Sequence, residues 1–283
     1  MHILYDIDLY KYNTMRLHSI ARIVYMPHNR NELFELINGF KQRREKYHIV
    51  SGGSNIVFSE FVQTPIVLLM ELDEAITILE NNIVECGCSV RIQQLINKIK
   101  NENLGGIEYL FSVPTSVGGA IVMNAGRGRK WNSSISDYLF KIEYLDTEIM
   151  EYKIIEMTDG LFSYRNSIFQ QNLAIVVRAW FRFRDQPTEI TQNLITERLA
   201  YSKKYLSMEN PSCGTVFCKV NPVIMRLLKG ISFKGAMYSK KTPNWISNVN
   251  NATASDVRKL VRLATFFHKI FFLKCKTEIR FFE

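Results

Sequence analysis

Apolar residues recur at helical spacing in three segments of this chain. Leu33, Leu36, Ile37 and Phe40 share one face of a helix that Asn29 is placed to cap. Ile92, Leu95, Ile96 and Ile99 form a second stripe, with Ser89 the expected cap and Gly105-Gly106 the expected stop. Val257, Leu260, Val261, Ala264 and Phe267 form a third, opened by the capping-box pattern Thr253-Ala-Ser-Asp256. The polar stretch 188–204 and the segment 223–228, which stops at Gly230, also read as helices. Strand patterns lie between them. His48-Ile-Val50 and Ile56-Val-Phe58 are short apolar runs, and Asn81-Asn82 sits between two more as a tight hairpin turn. Residues 142–145 and 150–155 predict a second hairpin, and 173–181 is the strongest strand signal. The polar Arg184-Asp-Gln-Pro187 reads as a linker, and 277–282 as a final strand alternating Ile279 and Phe281 with Glu278 and Arg280.

Two glycine loops interrupt this pattern. Ser51-Gly-Gly-Ser-Asn55 joins two apolar runs, an entry unlike the strand–loop–helix of a Rossmann unit, which is therefore rejected. Pro114-Thr-Ser-Val-Gly-Gly119 leads into small and apolar residues ending at Gly126. Glycine permits close backbone approach to a ligand, and amides at the start of a helix suit an anion. The Thr115 and Ser116 hydroxyls would add donors. A Gly-Gly pair alone more often marks a turn or tight packing. Two such loops together suggest a long ligand carrying two phosphates.

At 283 residues the chain exceeds the usual length of one domain, and its 47% hydrophobic content is ample for real cores. The net charge of +9 is spread out, densest at Lys41-Gln-Arg-Arg-Glu-Lys46 and Arg127-Gly-Arg-Lys130. Such runs are usually solvated faces; the functional alternative is attraction of polyanionic ligands. No nucleic-acid motif accompanies the charge. Cys86, Cys88, Cys213, Cys218 and Cys275 are odd in number, irregularly spaced and without partner histidines. They read as reduced thiols rather than a zinc site or disulfide framework, so no metal is expected. The N-terminus does not resemble a signal peptide, and no run approaches the ~18 apolar residues that span a bilayer. A cytoplasmic, monomeric protein without nucleic-acid or membrane partners is expected. Asn132-Ser-Ser and Asn251-Ala-Thr fit the glycosylation pattern but mean nothing without secretion.

Five ordered blocks resemble one family. Ser51-Gly-Gly-Ser-Asn55 with Ile56-Val57 is similar to the G-G-G-S-N-L-L loop of the UDP-N-acetylenolpyruvoylglucosamine reductases. Gly106 to Gly126 resembles their G-I-E…P-G-S-V-G-G-A…M-N-A-G block, and Phe162-Ser-Tyr-Arg-Asn-Ser-Ile-Phe169 their F-x-Y-R-x-S-x-F. Pro211-Ser-Cys-Gly-Thr-Val-Phe217 resembles P-S-A-G-S-V-F, and Thr277-Glu-Ile-Arg280 resembles P-E-V-R. The resemblance runs from Asn13-Thr14 to Arg280 in the family's order. The absence of a long insertion after the Tyr-Arg block resembles its shorter form.

The resemblance implies an FAD flavoprotein, with NADPH as hydride donor and a UDP-sugar as substrate, serving peptidoglycan synthesis and hence cell-wall biogenesis and division. NADPH would reduce FAD and leave, and the reduced flavin would then reduce an enolpyruvyl double bond. It assigns catalysis to Arg165, which would stabilise the developing enolate, to Thr215, and to Glu278 as a carboxyl donor. It assigns the cofactor to Thr14, Ser51, Gly52, Gly53, Ser54, Asn55, Pro114, Thr115, Ser116, Gly118, Gly119, Met123, Asn124 and Gly126. Tyr164, Lys219, Asn221, Lys241 and Asn244 would bind substrate. Several positions depart from the pattern. Thr215 stands for a serine or cysteine proton donor, and its β-branch restricts the hydroxyl's aim. Ser51 and Thr115 stand for glycines, and Arg127-Gly-Arg-Lys-Trp131 replaces an acidic or small continuation. No R-x-x-x-Q-P precedes Pro211, leaving Lys203 or Lys204 for phosphates, and the segment from Val216 to Pro222 is longer than V-F-K-N-P.

The expected fold is α+β: a two-part FAD-binding region of the vanillyl-alcohol-oxidase (PCMH) type, residues 1–66 and 67–184, and a C-terminal α+β substrate-binding domain, residues 185–283. FAD is expected between the first two parts, with the last strand returning Glu278 to the active site. Three functions stay open: the peptidoglycan reductase, an FAD-dependent reductase of another nucleotide-linked or unsaturated carboxylate, and a catalytically silent flavin-binding homologue.

Overall fold

A computed structural model describes residues 1–127, 133–170 and 173–283, Arg127 by its backbone alone. The side chains of the basic run Arg127–Lys130, Trp131, and Asn132 of the first glycosylation pattern thus lie outside the described residues. The chain forms two compact units. The first comprises residues 1–3, 25–52 and 66–200, the second residues 4–24, 53–65 and 201–283.

In the first unit, α1 (Arg30–Arg43) starts where Asn29 accepts the Glu32 N–H at 3.0 Å, and it buries Leu33, Leu36, Ile37 and Phe40. The predicted stripe of α2 (Ile92–Asn101) is also buried throughout. Each such aliphatic side chain contributes roughly 1.5–3 kcal/mol on leaving water. Ser89 is not the cap of α2. Its hydroxyl instead donates to the Leu69 carbonyl at 2.5 Å and accepts the Leu72 and Asp73 N–H groups. The helix begins at Ile92 after Arg91, whose N–H donates to the Gln94 side chain at 2.9 Å. Nor do Gly105 and Gly106 stop it. Asn103, at φ 55°, takes the left-handed turn two residues earlier, and asparagine tolerates that conformation.

Five antiparallel strands form this unit's main sheet, in spatial order Glu151–Glu156, Leu139–Asp146, Ala174–Arg182, Ile83–Gly87 and Ile76–Ile78. The strongest strand pattern in the sequence is the central one, covered on both faces, which is why it reads as a nearly unbroken apolar run. Asn81 and Asn82 turn the outer hairpin, both at positive φ. His48–Val50 runs parallel to Ile66–Leu68 and delivers the first glycine loop. The short helix α3 (Val117–Val122) follows the second loop.

Arg184-Asp185, expected in a linker, pairs with Leu104-Gly105. Gln186 is buried and donates to Glu108 at 2.7 Å and Thr191 at 2.8 Å. A stretch that satisfies its polar groups internally is held structure. α4 (Thr188–Tyr205) continues from it and puts Ile195 in the first unit's core, although 185–200 was expected with the substrate-binding part.

The second unit carries a four-stranded antiparallel sheet in the order Ser212–Thr215, Trp245–Asn248, Ala236–Tyr238, Ser232–Phe233. α5 (Pro222–Leu227) and α6 (Ala254–Ile270) share its core, where Tyr238 donates to the Leu260 carbonyl at 3.0 Å. The C-terminal strand is broken. Lys276-Thr277 pairs with the Phe217–Lys219 strand, and Arg280–Phe282 runs parallel to Ile56–Phe58. Between them the Glu278 and Ile279 amides both turn to the Val216 carbonyl, at 2.8 and 3.4 Å, which ends regular pairing.

Candidate functional site

The second glycine loop is tied to the stretch before α2. Val117 donates to the Val90 carbonyl at 2.8 Å, Gly118 to Cys88 at 2.9 Å, and Ile92 to Thr115 at 3.1 Å. Ser116 caps α3, accepting the Gly119 N–H at 3.2 Å. The amides of Val117, Gly118 and Gly119 are therefore spent inside the protein. The expectation that this helix start supplies an anion with successive N–H donors is corrected. Gly118 has a packing reason instead, since a Cβ there would lie 3.0 Å from that of Cys88. Pro114 is exposed, and Thr115 donates to the Ser116 carbonyl at 3.2 Å.

The unspent amides belong to the first loop. Among the described residues, the N–H groups of Gly52, Gly53 and Ser54 donate to no acceptor. Free backbone amides of this kind can donate to an anion. Gly52 lies on the second loop, with a Cβ position 3.4 Å from Thr115 Cα, and the Ser51 and Ser116 hydroxyls bond to each other. Gly53, at φ 61°, admits no side chain because a Cβ would sit 2.0 Å from the Tyr12 carbonyl oxygen. Thr14 donates its N–H to Gly53 at 3.4 Å and its hydroxyl to the Ser212 carbonyl at 2.8 Å.

The Tyr-Arg block folds as a hairpin, Phe162-Ser163 paired with Asn166-Ser167, with Tyr164 and Arg165 at its turn. Three hydrogen bonds dock it on the strand-like exit from α3. Ser167 donates to the Val122 carbonyl at 2.7 Å, Asn124 donates to the Ser163 carbonyl at 3.0 Å, and Arg165 Nη2 donates to the Gly126 carbonyl at 3.2 Å. Met123 ends the helix between them. Arg165 adopts φ 54°, an uncommon conformation for arginine, while Tyr164 is 74% exposed. Asn124 is buried at φ 41°, and its Oδ1 accepts no hydrogen bond among the described residues.

In the second unit, Gly214 at φ 68° produces a bulge between Ser212 and Thr215. The half-buried Thr215 hydroxyl bonds to nothing among the described residues. Glu278 joins the strand next to it through its N–H to Val216, and its own carbonyl accepts from Asn55 Nδ2 at 2.9 Å. Burial pushes the neighbouring Cys213 thiol up to about 12, with the Glu278 carboxylate adding to the effect. The residues expected to bind substrate are scattered in role. Asn244 bonds with both ends of its amide to the Phe217 backbone, at 3.1 and 2.8 Å. Asn221 caps α5 with its side-chain oxygen, leaving the NH2 group. Lys241 donates to the Lys203 carbonyl at 2.7 Å and pairs with Glu209 at 3.2 Å. Lys219 is exposed.

Comparison with known proteins decides the family. Residues 21–148 match the FAD binding domain family. The UDP-N-acetylenolpyruvoylglucosamine reductase of Prochlorococcus marinus (strain NATL2A) is 31% identical over 264 residues, covering 91% of this chain and 89% of that protein. The chain belongs to the UDP-N-acetylenolpyruvoylglucosamine reductase family. The reductase of Latilactobacillus sakei subsp. sakei (strain 23K) is 28% identical over 96% of this chain and 90% of its own. The crystal structure of the Thermus caldophilus reductase shares the fold, with a TM-score of 0.79 over 100% of this chain and 98% of that one at 24% identity. The fold is thus the mixed α and β, PCMH-type FAD-binding fold of this reductase family.

Two features of the chain suit FAD. In the second unit the free amides of Gly53 and Ser54 suit phosphate oxygens; in the first, the buried Asn124 Oδ1 suits a hydroxyl or ring N–H donor. The residues fit the group. Site reasoning from the sequence missed Ser163 and Ser167, which hold the Arg165 hairpin, and Glu108, which accepts from Gly106 N–H at 2.7 Å. All three lie inside the motif blocks, so their polar character within otherwise apolar runs was the available signal.

Proposed function

We propose that this protein is an FAD-dependent, NADPH-driven reductase that converts UDP-N-acetylenolpyruvoylglucosamine to UDP-N-acetylmuramate in the cytoplasm. Bound FAD would supply hydride chemistry that no side chain can perform. In this reading the Gly53 and Ser54 amides bind the dinucleotide's phosphates, and Asn124 orients its polar groups. The Arg165 guanidinium stabilises negative charge as the enolpyruvyl carboxylate becomes enolate-like, a role for a fixed, permanently charged fork. Thr215 Oγ1 gives up the proton, and Glu278 supports the enolate as a donor. The observation that most supports this is the three-bond docking of the Arg165 hairpin on residues 122–126, which holds that side chain in a strained turn. Strain of that kind costs of order 1–3 kcal/mol and persists where surrounding structure sustains it.

A second reading is a reductase of a different nucleotide-linked or unsaturated carboxylate. Asn244, fully engaged with Phe217, and a threonine at the donor position favour it. An absorption spectrum of the purified protein, anaerobic NADPH addition and then substrate separate the readings. A yellow protein bleached by NADPH and reoxidised by UDP-N-acetylenolpyruvoylglucosamine supports the first. Rapid bleaching without reoxidation by that substrate leaves only the second, and a colourless folded protein removes both.

A further inference from the structure

Three side chains that none of the motif blocks contains converge on the surface of the first unit. His2 opens a strand, His28 precedes the cap of α1, and Glu71 ends the turn Leu69–Glu71. His2 Nδ1 lies 3.5 Å, and His28 Nε2 3.3 Å, from the same Glu71 oxygen, and one ligand atom from each residue falls within 4.8 Å of the others. The two rings meet edge to face with centroids 4.3 Å apart. We propose that His2, His28 and Glu71 bind a divalent transition-metal cation, Zn²⁺ foremost.

The distances fit coordination of a small cation. An N–H···O bond has its donor and acceptor about 2.7–3.2 Å apart, and both separations exceed that. Ligands about 2.0–2.2 Å from a tetrahedral Zn²⁺ are separated by about 3.3–3.5 Å, the range of the two contacts to Glu71. The third edge, between the two rings, has its ligand atoms within 4.8 Å. Two imidazoles and one carboxylate select Zn²⁺, Co²⁺ or Cu²⁺ over Mg²⁺ and Ca²⁺, which demand oxygen ligands. Three protein ligands leave a fourth position for water.

Glu32 holds the backbone of His28: its Oε2 accepts the His28 backbone N–H at 2.8 Å and lies 3.6 Å from Nδ1 of the ring. Glu32 is a positioning residue here, and its Oε2 also meets the Met1 amino group at 2.7 Å. A cation at this point would tie together residues 2, 28 and 71, which no other single contact joins among the described residues. The expected role is a clip on the N-terminal segment, separate from the residues assigned to flavin and substrate.

Calorimetric titration of the tag-free full chain with ZnCl2, and with MgCl2 as control, tests this. One equivalent of Zn²⁺ is expected, with no Mg²⁺ binding. His28→Ala and Glu71→Gln should each weaken Zn²⁺ at least tenfold and abolish a Zn²⁺-dependent rise in Tm, with flavin content unchanged. The ligands are exposed, so these variants should fold, and their Tm without metal confirms it. Absence of saturable Zn²⁺ binding by the wild type overturns the proposal. So does Zn²⁺ binding that survives His28→Ala but disappears on Cys218→Ser/Cys275→Ser, which assigns it to the accessible thiols.

Discussion

Asn124 donates its side-chain amide to the Ser163 carbonyl at 3.0 Å, joining residues 39 positions apart and coupling the exit of α3 to the Arg165 hairpin. Its left-handed backbone at φ 41° suits asparagine better than any branched or apolar residue. Asn124→Ala should lose the bond and add backbone strain, costing about 1–3 kcal/mol and lowering the flavin-to-protein ratio. Asn124→Gly accepts the backbone but not the bond. If that variant retained flavin like the wild type, the amide would have no part in holding it.

Thr215→Ser should quicken substrate-dependent reoxidation of the reduced protein while leaving flavin content unchanged. The methyl group limits the hydroxyl's aim in a bulge already set by Gly214. Misplacement by about 1 Å can cost on the order of 10²-fold, so a gain of about tenfold or more is expected. Stopped-flow absorbance reads it, and a slower rate would refute the steric argument.

The thiols should divide into two classes. Burial pushes Cys88 and Cys213 up to about 12 and Cys86 well above its ordinary value; Cys218 and Cys275 are only half-buried, although burial raises Cys275 too. A thiol with a pKa near 12 is ionised in about one molecule in ten thousand at pH 8, and thiolate is the reactive form. Native protein at pH 8 should be alkylated at Cys218 and Cys275 only, and at all five after unfolding, as peptide mass spectrometry would show. The folded pKa values lie above the unfolded value near ~8.5, so the stability these groups contribute is fully present below that pH. It is lost as pH rises towards 12.

Thr253→Ala should cost about 1 kcal/mol, read from the denaturation midpoint. Thr253 and Asp256 exchange backbone-to-side-chain bonds at 3.3 and 3.1 Å at the head of α6, so both donors would lose a partner or its support. An unchanged midpoint would mean that packing of Val257 and Leu260 alone sets the start of this helix.

What the sequence made legible was local. The stripes of α1, α2 and α6, the Asn29 and Thr253 caps and the Asn81-Asn82 hairpin all depend on neighbours within a few residues. The failures were long-range. Ser89 looks like a cap, but its partners are Leu69, Leu72 and Asp73; Arg184-Asp185 looks like a linker until Leu104-Gly105 pairs with it. The motif blocks located both glycine loops but not the division of labour between them. Val90 and Cys88, which consume the amides at the start of α3, lie outside the block that contains that helix. The His2–His28–Glu71 group had no local signature, because its members come from three separate corners of the first unit.

Arg280–Phe282 runs beside Ile56–Phe58, so one of the second unit's parallel pairings cannot form until residues 280–282 have been synthesised. The first unit is complete at residue 200, long before that. Until then Ile56–Phe58 lacks its parallel partner. Truncation before Arg280 would therefore remove a paired strand together with that arginine.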